Sequence, residues 1–282
     1  MNIKEYEKSL NNLTFIDYYN KLKLLALSSF EWLNLPNYIN EKWIERYLFH
    51  YGQCMFFKDK EKGLMITKCS ESGMLNFYDE PTKLKPIATN YSGNTCEYEN
   101  NVNCVLICNN DERIPTVDTI KLYAYRLSEI SRTIDVNISA MKTPVLITCS
   151  EKQRNTLKQV YKQWSGNEPV IFGSKDLDLS GINVLKTDAP VVFDKLQIEK
   201  HAIWNECMTF LGVNNANMDK RERLVDDEVQ ANNEQIEMFA ETMLKSRQRA
   251  CKEINEMFGL NVSVQFRNAQ KGYNEVLEGG EE

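Results

Sequence analysis

From Val117 to Met141 the chain carries one uninterrupted helical stripe, with Ile120, Tyr123, Leu127, Ile130, Ile134, Ile138 and Met141 on one face. At a rise of about 1.5 Å per residue the run is about 35 Å long, comparable to the width of a small domain. Thr143-Pro144 ends it, because proline cannot continue the hydrogen-bond ladder. A rod of that length sets the scale of everything that packs on it. The rest of the chain divides around it.

A second long helix is expected to open at Pro190, a residue suited to a first helical turn, and to run to Leu211. A third covers Glu234 to Phe258 and closes at Gly259 in C-cap position. Upstream, Glu5 to Leu33 is helical in pattern, with Leu10, Leu13, Ile16, Leu24 and Leu27 near one stripe, and Glu41 to His50 forms a shorter helix. Tyr51 to Pro115 has a different character. Short apolar or alternating runs, such as Gln53-Cys54-Met55-Phe56-Phe57 and Cys104-Val105-Leu106-Ile107-Cys108, are separated by Gly, Pro, Asn and Asp. That pattern predicts a small antiparallel barrel or sandwich.

Between the first two long helices a compact α/β unit is expected: strand Val145 to Thr148, helix Glu151 to Trp164, and strands Val170 to Phe172 and Ile182 to Leu185. Asn214 to Asn233 is polar and too long for an ordinary connection. Leu260 to Arg267 alternates like a strand, and an acidic tail, Glu275 to Glu282, is expected to be mobile. The fold class is α+β, in segments 1–50, 51–115, 116–143, 144–188, 189–212, 213–233, 234–267 and 268–282.

Hydrophobic residues make 42% of the 282 and charged residues 26%, an ordinary globular composition. With 34 basic against 40 acidic residues the net charge is −6, which argues against a surface that grips nucleic acid all over. A basic ring or groove on an acidic body is compatible with it. No run approaches the roughly 20 apolar residues needed to span a bilayer, so no membrane partner is expected. Eight cysteines without a secretory leader read as reduced thiols in a cytoplasm.

The motifs of catalysis are missing. There is no Walker-type nucleotide loop, no nucleophile elbow and no histidine pair with metal-ligand spacing, so neither a cofactor nor a metal is expected. Cys104 and Cys108, with Cys96 upstream, come nearest to a metal cluster. Their even spacing in a strand places both on one face, where core packing is the better account. An enzyme would need an unrecognised site around His201 and Cys207, which a helix sets about 120° apart. No catalytic residue is assigned.

The basic residues are more informative. Lys186, Lys195 and Lys200 flank and enter the helix after Pro190, and Lys220, Arg221 and Arg223 fall in the long polar segment that follows it. Asn214, Asn215, Asn217, Asp219, Asp226 and Asp227 accompany them there. Each of these charges could simply face solvent. A closed ring, however, would copy each one once per subunit and so build circles of positive charge. Such circles could touch a passing duplex without reading its sequence.

Many short segments then become familiar in one order. They include Met141-Lys142-Thr143-Pro144-Val145-Leu146-Ile147, Gly166-Asn167-Glu168-Pro169-Val170-Ile171-Phe172, Lys186-Thr187-Asp188-Ala189-Pro190, Met208-Thr209-Phe210-Leu211-Gly212 and Gly259-Leu260-Asn261-Val262. Phe30-Glu31-Trp32-Leu33-Asn34-Leu35-Pro36 adds an N-terminal echo. Together they resemble the portal proteins of small podoviruses, also called upper collars or head–tail connectors. The likeness is colinear from about residue 140 to 267.

The resemblance implies a dodecameric ring with a central channel at the unique capsid vertex of the virion. Val117 to Met141 and Pro190 to Leu211 would be its stem helices, and the α/β unit the clip. The β-rich block would be an SH3-like wing in the capsid shell, and 213–233 the channel loop. Lys186 and Lys195 match the family's channel-lining lysines, and Lys220 with Arg221 match its basic pair in the loop. The implied partners are other copies of the chain, double-stranded DNA, major capsid and scaffolding proteins, a separate packaging ATPase, and lower collar and tail proteins. Met1 to Ser9 is not basic, unlike the arm that holds a packaging RNA in some members, which leaves an RNA partner doubtful. A helical scaffold or adaptor without a DNA channel is the competing reading.

Overall fold

The computed structural model describes residues 3–141, 145–147, 182–184, 192–213 and 226–267, with side chains over 9–138, 192–213 and 236–267. The chain divides into two units. One is Met1–Glu129 with Lys200–Glu282, and the other is Ile130–Glu199.

Helix α1 spans Ile3–Ser28 and strand β1 spans Phe30–Leu33. This corrects the expectation of one helix from Glu5 to Leu33. The Ser28 and Ser29 hydroxyls both donate back to the Leu25 carbonyl at 3.0 Å, the local bonding by which serine competes with a helix ladder. Phe30 and Trp32 then alternate into the core while β1 pairs antiparallel with β9, Ser263–Phe266, more than 200 residues away in sequence. Phe30 meets Phe266 edge-on at 5.3 Å.

Helix α2, Glu41–Tyr51, starts where the Asn40 side chain accepts from the Lys42 amide at 3.0 Å. It stops at Gly52, whose φ of 73° only glycine adopts readily. Strands β2 (Gln53–Asp59), β3 (Gly63–Leu75), β4 (Pro81–Ile87), β5 (Tyr98–Glu99) and β6 (Cys104–Cys108) follow. They form one antiparallel sheet in the order β5-β4-β3-β2-β6. The register shifts between Ser72 and Leu75 on β3, a bulge that increases local twist and curls the sheet.

Strand β2 is buried on both sides, as its continuous apolar run requires. Cys54 and Phe56 join a core with Phe30, Trp32, Ile44, Leu48, Ile107 and Ile254. Met55 and Phe57 enter a second core inside the curl with Leu84, Tyr91 and Cys104.

Helix α3 occupies Val117–Met141, the bounds the sequence predicts. Helix α4, Phe193–Phe210, begins with the Leu196 amide on the Val192 carbonyl, three residues later than the expected Pro190 start. In the second unit β7 (Val145–Ile147) and β8 (Ile182–Val184) pair antiparallel, where two strands of the α/β unit were expected. Its expected helix Glu151 to Trp164 and strand Val170 to Phe172 lie outside the described residues, as does the tail 268–282.

Helix α5 runs from Asp226 to Phe258. The channel-loop assignment of Asp226 and Asp227, and of the segment up to Asn233, is therefore corrected: they form the first turns of a helix. The acidic sequence Asp226-Asp227-Glu228 suits the positive end of a helix dipole, and a polar composition obscured the helical period.

Candidate functional site

Helix α4 holds the described part of the sequence-predicted basic set, Lys195 and Lys200. Helix α3 opens from a buried polar knot. The Asn109 amide donates to the Thr116 hydroxyl at 3.0 Å and to the Ile114 carbonyl at 2.8 Å, and the Thr116 carbonyl accepts from the Ile120 amide. Within the first unit α3 then buries Val117, Ile120, Tyr123, Ala124 and Leu127. Glu206 of α4 ties the two helices, accepting from the Tyr123 hydroxyl and the Arg126 guanidinium at 3.2 Å each. Desolvation first and Glu206 next push the Tyr123 phenol up to about 12, so it remains the donor.

The opposite, solvent face of α3 is mixed, with large apolar side chains set among the exposed Asp118, Lys121 and Glu129. Leu122 and Tyr125 are 57% and 55% exposed, with Val136 further along the helix at 62%. Two large apolar side chains left in water side by side on a long helix suit cover by another protein surface.

Of the basic residues singled out from sequence, Lys195 and Lys200 are described. Lys195 is exposed on α4, one turn from the exposed Glu199 on the same face. Lys200 is half-buried, its ammonium 5.7 Å from the Tyr18 ring centroid of α1. Five residues advance a helix by about 500°, leaving the two lysines about 140° apart, so they do not form one row. Lys186, Lys220, Arg221, Arg223, Asn214, Asn215, Asn217 and Asp219 lie outside the described residues.

No nucleophile is assembled where one was weighed. Cys207 is buried and its thiol is pushed up to about 12, mainly by desolvation, whereas His201 is exposed. Cys104 is buried and Cys108 half-buried on the same face of β6, and burial pushes both thiols up, to about 12 and about 11. Among the described residues no group of three or more His, Cys, Asp or Glu is placed to hold a metal. No helix among them is long and apolar enough to cross a membrane.

Sequence reasoning missed what holds the start of α3. Arg247 of α5 is fully buried and pairs in bidentate fashion with Glu45 of α2, at 2.9 and 2.8 Å. It also donates to the Asn109 carbonyl and side-chain oxygen, each at 3.0 Å, and so reaches the knot that opens α3. A signal was present, since Arg247 sits on the apolar stripe Met243, Ala250, Cys251, Ile254.

The sequence matches the family model described as Phage Connector (GP10) over residues 1–271. Among solved structures, a chain from the portal and tail of native bacteriophage P68 superposes with a TM-score of 0.55 at 15% identity, covering 99% of this chain and 95% of that one. The likeness is one of fold. A chain from the virion of a native gene transfer agent particle aligns with a TM-score of 0.49 at 9% identity, covering 93% of this chain and 82% of that one. An HK97-family phage portal protein from Corynebacterium diphtheriae gives 0.43 at 10% identity, covering 95% and 94%. Those last two are too distant to carry weight. The family match spans nearly the whole sequence, and the chain belongs to the Phage Connector (GP10) family: it is a phage connector protein.

Proposed function

We propose that copies of this chain close into a ring, dodecameric as the resemblance implies, whose channel passes double-stranded DNA during packaging, retention and ejection. The observation that carries the reading is the connector-family match over residues 1–271. The large apolar side chains Leu122 and Tyr125 on the outer face of α3, exposed in a single chain, support a neighbouring subunit there. The curled sheet would be the SH3-like wing, and the 144–188 segment the clip that meets the ATPase and later the lower collar and tail proteins. The β3–β4 tip carries Phe77 and Tyr78 at 94% and 79% exposure, which favours an apolar contact there, assigned to the capsid shell. The ATPase is a separate protein in this scheme, in line with the lack of a nucleotide-binding loop in the sequence.

Contacts to DNA would be weak and sensitive to salt. Lys195 would supply one circle of charge, tempered by Glu199, and Lys186, Lys220 and Arg221 the others. A weak hold suits a conduit, because tight phosphate binding would stop transport. Native mass measurement with negative-stain imaging tests the assembly. A ring with a central hole is expected, and a compact dimer stable across salt and concentration would favour an adaptor instead. The clamp is tested separately by Lys220→Ala with Arg221→Ala, expected to leave the ring intact and to let packaged DNA slip back. Unchanged packaging and retention would remove that role.

A further inference from the structure

The solvent side of α2 holds an aromatic ladder. Trp43, Tyr47 and Tyr51 follow at four-residue spacing with ring centroids 6.5 and 6.4 Å apart, and Trp43 and Tyr51 are 43% and 53% exposed. Cations line it. The Lys42 ammonium and the Arg46 guanidinium lie 5.3 and 5.5 Å from the Trp43 ring centroid, and the Lys68 ammonium of β3 lies 5.2 Å from that of Tyr51. Both acids of α2 are committed elsewhere. Glu41 accepts from Arg267 and from the Trp32 amide, and Glu45 is buried against Arg247.

We infer that this ladder is the docking site for residues 268–282 of the same chain. The segment has the complementary chemistry: Glu275, Glu278, Glu281 and Glu282 against the single Lys271, with Tyr273, Val276 and Leu277 to lie on the rings. Its starting point also fits. The described chain ends at Arg267, whose guanidinium is 2.9 Å from Glu41 in the first turn of α2. Fifteen further residues reach up to about 50 Å when extended, while the ladder from Trp43 to Tyr51 is only about 12 Å long. Tethering raises the effective concentration to the order of millimolar, so a few weak contacts suffice. A free single strand of nucleic acid could use the same rings and cations. It lacks the tether, and the chain as a whole is acidic, at −6. In place of a free tail, the segment would cover the aromatic face of α2.

Zero-length carbodiimide cross-linking of the full chain, followed by peptide mass analysis, tests this. Links from Lys42 or Lys68 to the glutamates of 275–282 are expected, with the adjacent Lys121–Asp118 pair as internal standard. Trp43→Ala with Tyr51→Ala, both at exposed positions, should lower their yield several-fold and leave the standard unchanged. In an equal mixture of isotopically heavy and light chains, the links should join like to like. Heavy-to-light links would assign the site to another copy's tail and overturn same-chain docking. So would the absence of links, or a yield indifferent to the substitutions. Submicromolar quenching of tryptophan fluorescence by an oligo-deoxythymidine probe, lost in the double variant, would give the ladder to nucleic acid instead.

Discussion

Arg247 is a large charged side chain with almost no exposed surface, in a core otherwise made of Phe30, Ile44, Leu48, Val105 and Ile254. Burying a guanidinium is tolerable only when its donors are satisfied. Here Glu45 takes two of its N–H groups, and the Asn109 carbonyl, the Asn109 side chain and the Met243 carbonyl take the others. The Phe30 ring lies 3.9 Å from the guanidinium carbon. Glu45 is bonded as well by the Trp32 indole N–H at 2.9 Å. Arg247→Ala would strand that carboxylate in the core, and a stability loss of about 3–5 kcal/mol is expected from urea unfolding. Arg247→Met with Glu45→Leu removes both charges at similar volume and should recover most of the loss. A double variant as unstable as Arg247→Ala alone would mean that the network's geometry, rather than the orphaned charge, sets the cost.

At the scale of elements, the corner between α2 and β2 shows how backbone and packing combine. A Cβ on Gly52 would stand 1.9 Å from the Arg113 carbonyl oxygen, on top of the strain of a positive φ. Gly259 ends α5 with a similar φ of 65° but has open space where a Cβ would go. Gly259→Ala is therefore expected to lose about 1 kcal/mol, and Gly52→Ala at least about 2 kcal/mol more, because backbone must move. Chemical denaturation of the two variants side by side separates the clash from the strain. Equal losses would show that the Arg113 loop yields freely. The same distinction between local and distant causes explains what was legible in the sequence. Helix α3 has its boundaries written in its own residues, and Ile120, Tyr123 and Leu127 of its stripe are buried while Ile138 is exposed; strands β2 and β6 are likewise legible in their apolar runs. Strand β1 was hidden because its partner β9 is remote in sequence, and four residues after a long helix look like more helix. The first turns of α5 were hidden by polarity. Arg247 could be noticed on an apolar stripe, but nothing nearby in sequence points to Glu45. Of the proposed channel residues, Lys195 and Lys200 were correctly placed on one helix. Their faces had to be read from the helix itself, and they diverge.

For the whole molecule, closure into a ring demands that one surface of each copy meet a different surface of the next, repeated around the circle. The outer face of α3 is the strongest described candidate for one of those surfaces. Leu122 and Tyr125 lie three residues apart on one helix face and add apolar area that the single chain leaves in water. In the proposed ring each substitution there would be copied into every interface, so a modest local penalty would multiply with subunit number. Leu122→Glu with Tyr125→Glu introduces two like charges that would have to be desolvated at each contact. The fold should survive, since neither side chain belongs to the buried face of α3. The expected outcome is a folded monomer by native mass and circular dichroism, at concentrations where the proposed ring of the parent chain is seen by the same measurement. Phe77→Ser with Tyr78→Ser serves as the control at the β3–β4 tip, expected to keep the ring while losing incorporation into heads. If the α3 variant still assembled normally, the two side chains would belong to some other contact, and the subunit interface would have to be sought on α1 or α4, where Leu24 and Ile198 are also exposed.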